Sequence, residues 1–201
     1  MSLRIVSMRS IFPLLGVLAS AVLLVLAAAR YPGGYDWFEQ SVSSLFQPSA
    51  LNGSHNISRS LAALAVFVFC ASMAIVFNTI ARSGPSRFHR KTIQIAGIGS
   101  MVYAALVVTP MHDVLVGVAL LFFVTAMVTI FHWLYLERRF GMLGAGIACL
   151  ALTLCNATMY YGEVLYGFLP VVQKFSLVLW VSWLFGLLLR DSQTVNHVGQ
   201  A

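Results

Sequence analysis

Hydrophobic positions in this chain fall into six long runs, and polar positions are confined largely to the gaps between them. The charge-free stretches cover 10–29, 60–81, 92–111, 114–136, 140–162 and 164–189, the last interrupted by Lys174. A helix needs about 20 apolar residues to cross the hydrocarbon core of a bilayer, and each run is close to that length. No soluble fold demands six such runs in succession. The pattern predicts an all-α, polytopic transmembrane bundle of six helices within a single integral membrane domain, 1–201. Every connection but one is short. The exception is an outer loop of about 30 residues between the first two helices.

Composition agrees with that pattern. Of 201 residues, 60% are hydrophobic and only 9% are charged, against about 25% charged in an average soluble domain. A water-soluble chain of this make-up would have to expose hydrocarbon over most of its surface. Cys70, Cys149 and Cys155 lie inside apolar runs. An odd count without metal-ligand spacing predicts small packing residues in place of a disulfide framework.

Charge then orients the bundle. Six crossings put Arg4, Arg9, Arg82, Arg87, Arg90, Lys91, Arg138, Arg139 and Arg190 on one side, leaving Arg30, Arg59 and Lys174 toward the other. Basic segments stay cytoplasmic, so both termini are expected inside (N-in/C-in), in an inner (plasma) membrane. The basic stretch 82–91 reads as a tight turn on that side, where acidic headgroups would also suit it. The net charge of +6 has no groove-reading or aromatic elements beside it, so no nucleic-acid partner is expected. The first run has a second reading. Arg4 and Arg9, followed by an apolar stretch ending in Ala27-Ala28-Ala29, also resemble a secretion signal with its cleavage site.

The long loop opens with Tyr31-Pro32-Gly33-Gly34-Tyr35-Asp36-Trp37, turn formers interleaved with aromatics that settle at headgroup level. It is expected to fold over helices one to four. Asn52-Gly-Ser and Asn56-Ile-Ser match the glycosylation sequon and would face outward. Gly16 with Ser20, and Ala96, Ser100 and Ala104, place small residues four apart, which lets helices approach closely in lipid.

Candidate chemistry gathers on the loop side. Asp36, Glu39, Asp113 and Glu163 fall there, with His55 and His112. Met111-His112-Asp113 opens the fourth helix after Pro110, where Asp113 also suits a helix start. Asn156, Tyr160 and Glu163 recur at i, i+4 and i+7 and are expected on one face of the fifth helix. Lys174 lies within the last span, where an ionisable residue is costly; Glu163, Asp113 or Asp36 would be its partner, or its stem would carry it to the headgroups. His132 sits near the basic end of the fourth helix and faces no evident partner. The expected ligand-binding set is therefore Asp36, His55, His112, Asp113, Asn156, Tyr160, Glu163 and Lys174.

Ser43, Ser44, His55, His112, Asp113 and Glu163 supply the chemical types of a hydrolase site, with His112 and Asp113 as base and orienter. No spaced signature fixes a nucleophile. A zinc site would need His55, His112 and a carboxylate to converge from separate segments, and a bis-histidine haem would need His55 and His112 at matching depth. Neither a metal nor a cofactor is expected. The near-absence of polar residues from the centres of helices one, four and six argues against a wide aqueous pore.

The loop Tyr31-Pro-Gly-Gly-Tyr-Asp-Trp, the serine-rich stretch Ser41-Val-Ser-Ser-Leu-Phe, the polar segment from Asn52 to Asn56 and the pair His112-Asp113 together resemble a bacterial six-helix membrane family of unknown function. That family is similar in layout to the Frag/DRAM/Sfk-like group. In its pattern a serine-rich "IS-x-LG" stretch follows the first helix, here 42–46, and a His-Asp pair opens the fourth. This chain carries Phe46 where glycine is usual. The resemblance implies a six-helix membrane protein, with a lipid-related role in the eukaryotic relatives and no established catalytic residues. The expected function is binding or organising a membrane lipid or other apolar ligand from the outer-leaflet side. A membrane-embedded hydrolase or transferase, and a structural subunit without a site, stand as alternatives.

Overall fold

The computed structural model of the chain describes residues 8–109 and 111–198. Arg4, and with it the start of the leader-like segment, lies outside the described residues, as does Pro110. Six α-helices follow in order: α1 (Met8–Ala29), α2 (Arg59–Arg82), α3 (Arg87–Ala105), α4 (His112–Leu136), α5 (Phe140–Gly162) and α6 (Leu169–Val198). Among the described residues there is no β-strand, only an isolated bridge between Ser49 and His55. All six helices contain a segment long and apolar enough to cross a membrane.

The boundaries follow local chemistry. Ser86 caps α3 by accepting the His89 backbone N–H at 3.3 Å, so the helix begins at Arg87 and not at 92. The basic stretch 82–91 is therefore mostly helix, with only 83–86 as the turn. At the other end of the bundle α5 stops at Gly162. Glu163 and Leu165 both adopt left-handed backbone (φ 53° and 54°), and a short 3-10 turn, Tyr166–Phe168, leads into α6. The last helix thus starts at Leu169, not at 164, with Pro170 in its first turn where a missing N–H costs little.

Close helix contacts use the small residues. A Cβ on Gly16 would collide with the Ser72 side chain of α2, and one on Gly97 with Phe77. Interhelical approach of this kind replaces the hydrophobic driving force that lipid removes. The main core lies toward the basic end, where Phe77, Ile93, Met127, Ile130, Trp133 and Leu187 are sealed from solvent. A second cluster, including Tyr31, Leu45, Phe46 and Ala62, lies at the loop end.

That second cluster is made by residues 30–58, which pack on the helix ends and reach beyond helices one to four, with the 3-10 turn Val42–Phe46 set against α2 and α6. Gly33 (φ 83°) and Gly34 (φ 87°) turn the chain, and a side chain on Gly33 would meet Asn52. The Tyr31 hydroxyl accepts the Leu51 N–H at 2.9 Å and ties the two arms together. Asn56 is the centre of the loop. Its Nδ2 donates to the carbonyls of Leu45 and Gln47 at 2.9 Å each, and its Oδ1 accepts from the Ser58 N–H (3.0 Å) and hydroxyl (2.6 Å). Asn56 is 2% exposed, so this sequon asparagine faces inward, contrary to expectation. The carbonyls of a non-repetitive loop need donors, and this side chain supplies them. Asn52 remains at the surface and holds the Ser54 turn.

Candidate ligand cavity and its polar rim

A cavity of about 430 Å³ lies between the two clusters. All six helices and the 3-10 turn Val42–Phe46 of the loop contribute to it. Its walls are mostly hydrocarbon and aromatic, including Phe69, Met73, Phe77, Phe123, Trp180 and Leu184. Polar groups gather mainly at the loop-side end: Ser41, Ser43, His112, Asn156, Tyr160 and Gln173, with Thr153 and Ser176 one turn deeper and Ser20 midway along α1. A mostly apolar wall with a few convergent polar groups is the usual make-up of a small-ligand site, and the volume falls in the usual range. Its exposed margin is formed by Tyr161 of α5 and Leu177 of α6. Only 11% of the apolar window of α5 is buried, against 39% for α2 and α6, so the bundle is thinnest beside this margin.

The His112-Asp113 pair sits on the rim. His112 Nδ1 and Asp113 Oδ1 are 2.9 Å apart, and the Tyr160 hydroxyl donates to the same Oδ1 at 2.7 Å. Tyr161 adds a bond to the Asp113 backbone carbonyl at 3.1 Å. These contacts tie the start of α4 to the end of α5. An ionised carboxylate only accepts, so the imidazole proton lies on Nδ1 and the lone pair on Nε2. The His112 side chain is 16% exposed and the Asp113 side chain 70%, so the histidine faces the bundle and the acid faces out. No hydroxyl among the described residues hydrogen-bonds Nε2. Ser43 Oγ pairs with Ser41 Oγ at 2.8 Å, and Ser44 donates to the Ser41 carbonyl. The pair has the geometry of an imidazole oriented by a carboxylate, with no hydroxyl engaged at Nε2 among the described residues.

Lys174 has partners other than those expected. Its Nζ donates to the carbonyls of Gln40 (2.6 Å) and Pro170 (3.1 Å) and lies 5.8 Å from the Tyr35 ring centroid. Among the described residues no carboxylate pairs with it. The loop descends beside α6 and offers carbonyl oxygens first, which hold an ammonium at lower desolvation cost than an ion pair does. The Tyr35 hydroxyl donates to the same Gln40 carbonyl at 3.0 Å. Burial, reinforced by the nearby Tyr31 and Asp36, pushes the Tyr35 phenol above its ordinary value near 10.

The remaining expected residues divide clearly. Asn156 and Tyr160 share the cavity face of α5, as their spacing predicts. Glu163 does not join them, because the helix ends one residue earlier and the left-handed turn carries it to the surface. Asp36 caps the loop turn by accepting from the Phe38 and Glu39 N–H groups. His55 is exposed at the loop tip and does not line the cavity. Among the described residues no three His, Cys, Asp or Glu side chains converge as metal ligands.

Gln173 and Ser176 escaped the sequence reading, although with Trp180 they recur at i, i+3 and i+7 of α6 and were legible as a polar face. Gln173 Oε1 accepts the Val42 N–H at 3.0 Å, anchoring the loop over the cavity. A second omission lies at the basic end. His132 does have a partner: its Nδ1 is 3.0 Å from His89 Nε2, and His89 Nδ1 is 2.7 Å from Ser86 Oγ. The pair was hidden because His89 reads as part of a basic turn until Ser86 places it on a helix. No family model, curated protein or solved structure matches this chain.

Proposed function

We propose that this membrane protein binds or organises a lipid or another apolar ligand, entering at the loop end of the bundle. The observation that carries this is the 430 Å³ cavity, apolar over most of its walls and with its polar groups gathered mainly toward the loop. Such a gradient matches an amphiphile, whose chain is buried while its head meets a few hydrogen-bonding groups. The positive-inside distribution of Lys and Arg supports an orientation with that end at the outer leaflet and both termini cytoplasmic, and we take the membrane to be a bacterial inner membrane.

The hydrolase alternative draws on the His112-Asp113 pair and requires a nucleophile or an activated water at His112 Nε2. The structural-subunit alternative requires Lys174, Asp113 and Glu163 to stand unpaired. Only Glu163 makes no hydrogen bond or ion pair among the described residues.

The test is lipid retention. Protein purified in mild detergent and analysed by native mass spectrometry is expected to carry a bound lipid. Ala157→Phe, which fills the cavity from α5, is expected to lose it while the helical circular dichroism is kept. Equal retention by the filled variant refutes a ligand in this cavity.

A further inference from the structure

We infer that the His89–His132 pair is a proton-operated clasp, which ties α3 to α4 at the basic end of the bundle and releases when both imidazoles are charged. Neither residue lines the cavity.

The geometry is that of one shared proton. The two ring planes lie within 9° of each other with centroids 5.2 Å apart, and the facing nitrogens, His89 Nε2 and His132 Nδ1, are 3.0 Å apart. That gap and the two ring radii together make up the centroid separation, so the rings lie edge to edge in a common plane. Each facing nitrogen aims its lone pair or its N–H straight at the other. A metal ion held by both would stand about 2.0–2.1 Å from each and off that line. A ring nitrogen either donates or accepts, so the gap takes one proton. Two neutral rings supply it, and so does one neutral ring facing a charged one. Two charged rings set N–H against N–H, and the bond is lost.

The surroundings decide how protons arrive and how far they go. His89 is 6% exposed, and its Nδ1 lies 2.7 Å from Ser86 Oγ, the hydroxyl that also caps α3. His132 is exposed, so protons reach the pair through its Nε2. Among the described residues no hydrogen bond leads from the pair into the bundle, where Ile93 and Ile130 are fully buried. The pair therefore senses a proton and does not pass one across the membrane. The charged neighbours are mostly bases: Arg82 of α2, Arg87, Arg90 and Lys91 of α3, and Arg138 and Arg139 after α4. Glu137 is occupied by Trp133 Nε1 at 2.6 Å and by Arg139 at 2.8 Å. Tyr135 packs edge-on against Phe140. α5 carries no Asp, Glu, Lys, Arg or His, and α6 reaches this end with Arg190 and Asp191. Among the described residues no carboxylate bonds either imidazole, so nothing offsets the second charge.

This is the only hydrogen bond between α3 and α4 among the described residues. Its loss leaves that end of the two helices held by apolar packing alone. The open form can take up two added protons and the clasped form one, so falling pH favours the open form.

The test uses the full chain in nanodiscs at roughly pH 8 and pH 5, which bracket the usual imidazole range. Hydrogen exchange, corrected for its intrinsic pH dependence, is expected to show amides 90–94 and 130–134 losing about fivefold in protection at the lower pH, the value of one hydrogen bond. His132→Asn places an amide oxygen where Nδ1 stood, which accepts from His89 in either charge state, and is expected to keep its protection at both pH values. Side-chain nitrogen NMR of the unaltered protein needs no variant: a coupling between Nε2 and Nδ1 across the shared proton is expected at the higher pH and not at the lower. Protection that does not change with pH, or that falls equally in His132→Asn, overturns the inference. So does a coupling that persists at the lower pH or is absent at the higher.

Discussion

Asn56 is where a single side chain bears most directly on the roof of the cavity. Asn56→Ala removes two 2.9 Å bonds to the Leu45 and Gln47 carbonyls and two bonds from Ser58, all buried except the half-buried one to Gln47. The Leu45 carbonyl keeps a longer bond from the Ser58 hydroxyl at 3.3 Å, so the Gln47 carbonyl and the Ser58 N–H are the groups left stranded. Each such group costs about 1–3 kcal/mol, and a total near 3 kcal/mol is expected. Because residues 41–46 pack over the cavity and are reached through Gln173, the loss should appear as local opening of the loop, with the helices intact. Hydrogen–deuterium exchange in nanodiscs measures it directly. Amides across 44–58 should exchange about a hundredfold faster at 1.4 kcal/mol per decade, while those in α2 to α4 stay unchanged. Asn56→Asp keeps the acceptor for Ser58 but not the donor, and should fall between. A change under about threefold in the alanine variant would refute the claim that this side chain holds the loop.

Four further outcomes are expected. Burial raises the Tyr35 phenol, so its contribution to loop stability is complete below about pH 10 and is lost as pH rises through the higher folded value; Tyr35→Phe should remove that alkaline step from a loop-fluorescence titration. Glu163→Gly relieves a left-handed residue at φ 53° and should raise stability by about 1 kcal/mol without changing lipid retention; a loss of retention would restore Glu163 to the site. A double-mutant cycle on His89 and His132, read by unfolding in mixed micelles, should give a coupling of about 1 kcal/mol, and a coupling near zero would mean that their hydrogen bond does not form. A membrane-impermeant maleimide should label Leu51→Cys in intact cells but Ser83→Cys only after lysis; the reverse pattern inverts the proposed orientation.

The arrangement of the chain was largely present in its hydrophobic pattern. Lipid demands that each crossing satisfy its own backbone bonds, so run length alone yields six helices, and Lys and Arg counts yield an expected orientation. Spacing also placed Asn156 and Tyr160 on one face, because a helix repeats every 3.6 residues whatever surrounds it. That regularity stops where the helix stops. Glu163 continued the same spacing in sequence yet lies beyond the end of α5, turned aside by a left-handed residue that no periodicity announces. Partners were the other thing withheld. Lys174 found carbonyls 134 and four residues away in place of a carboxylate, His132 found His89 across 43 residues, and Asn56 turned from an apparent sugar acceptor into the buried tie of the loop. Hydrogen bonds are short and directional, so which donor meets which acceptor depends on how helix ends and loop are brought together. The cavity belongs to the same class, being the space left between two packed clusters, and only the tertiary structure sets it.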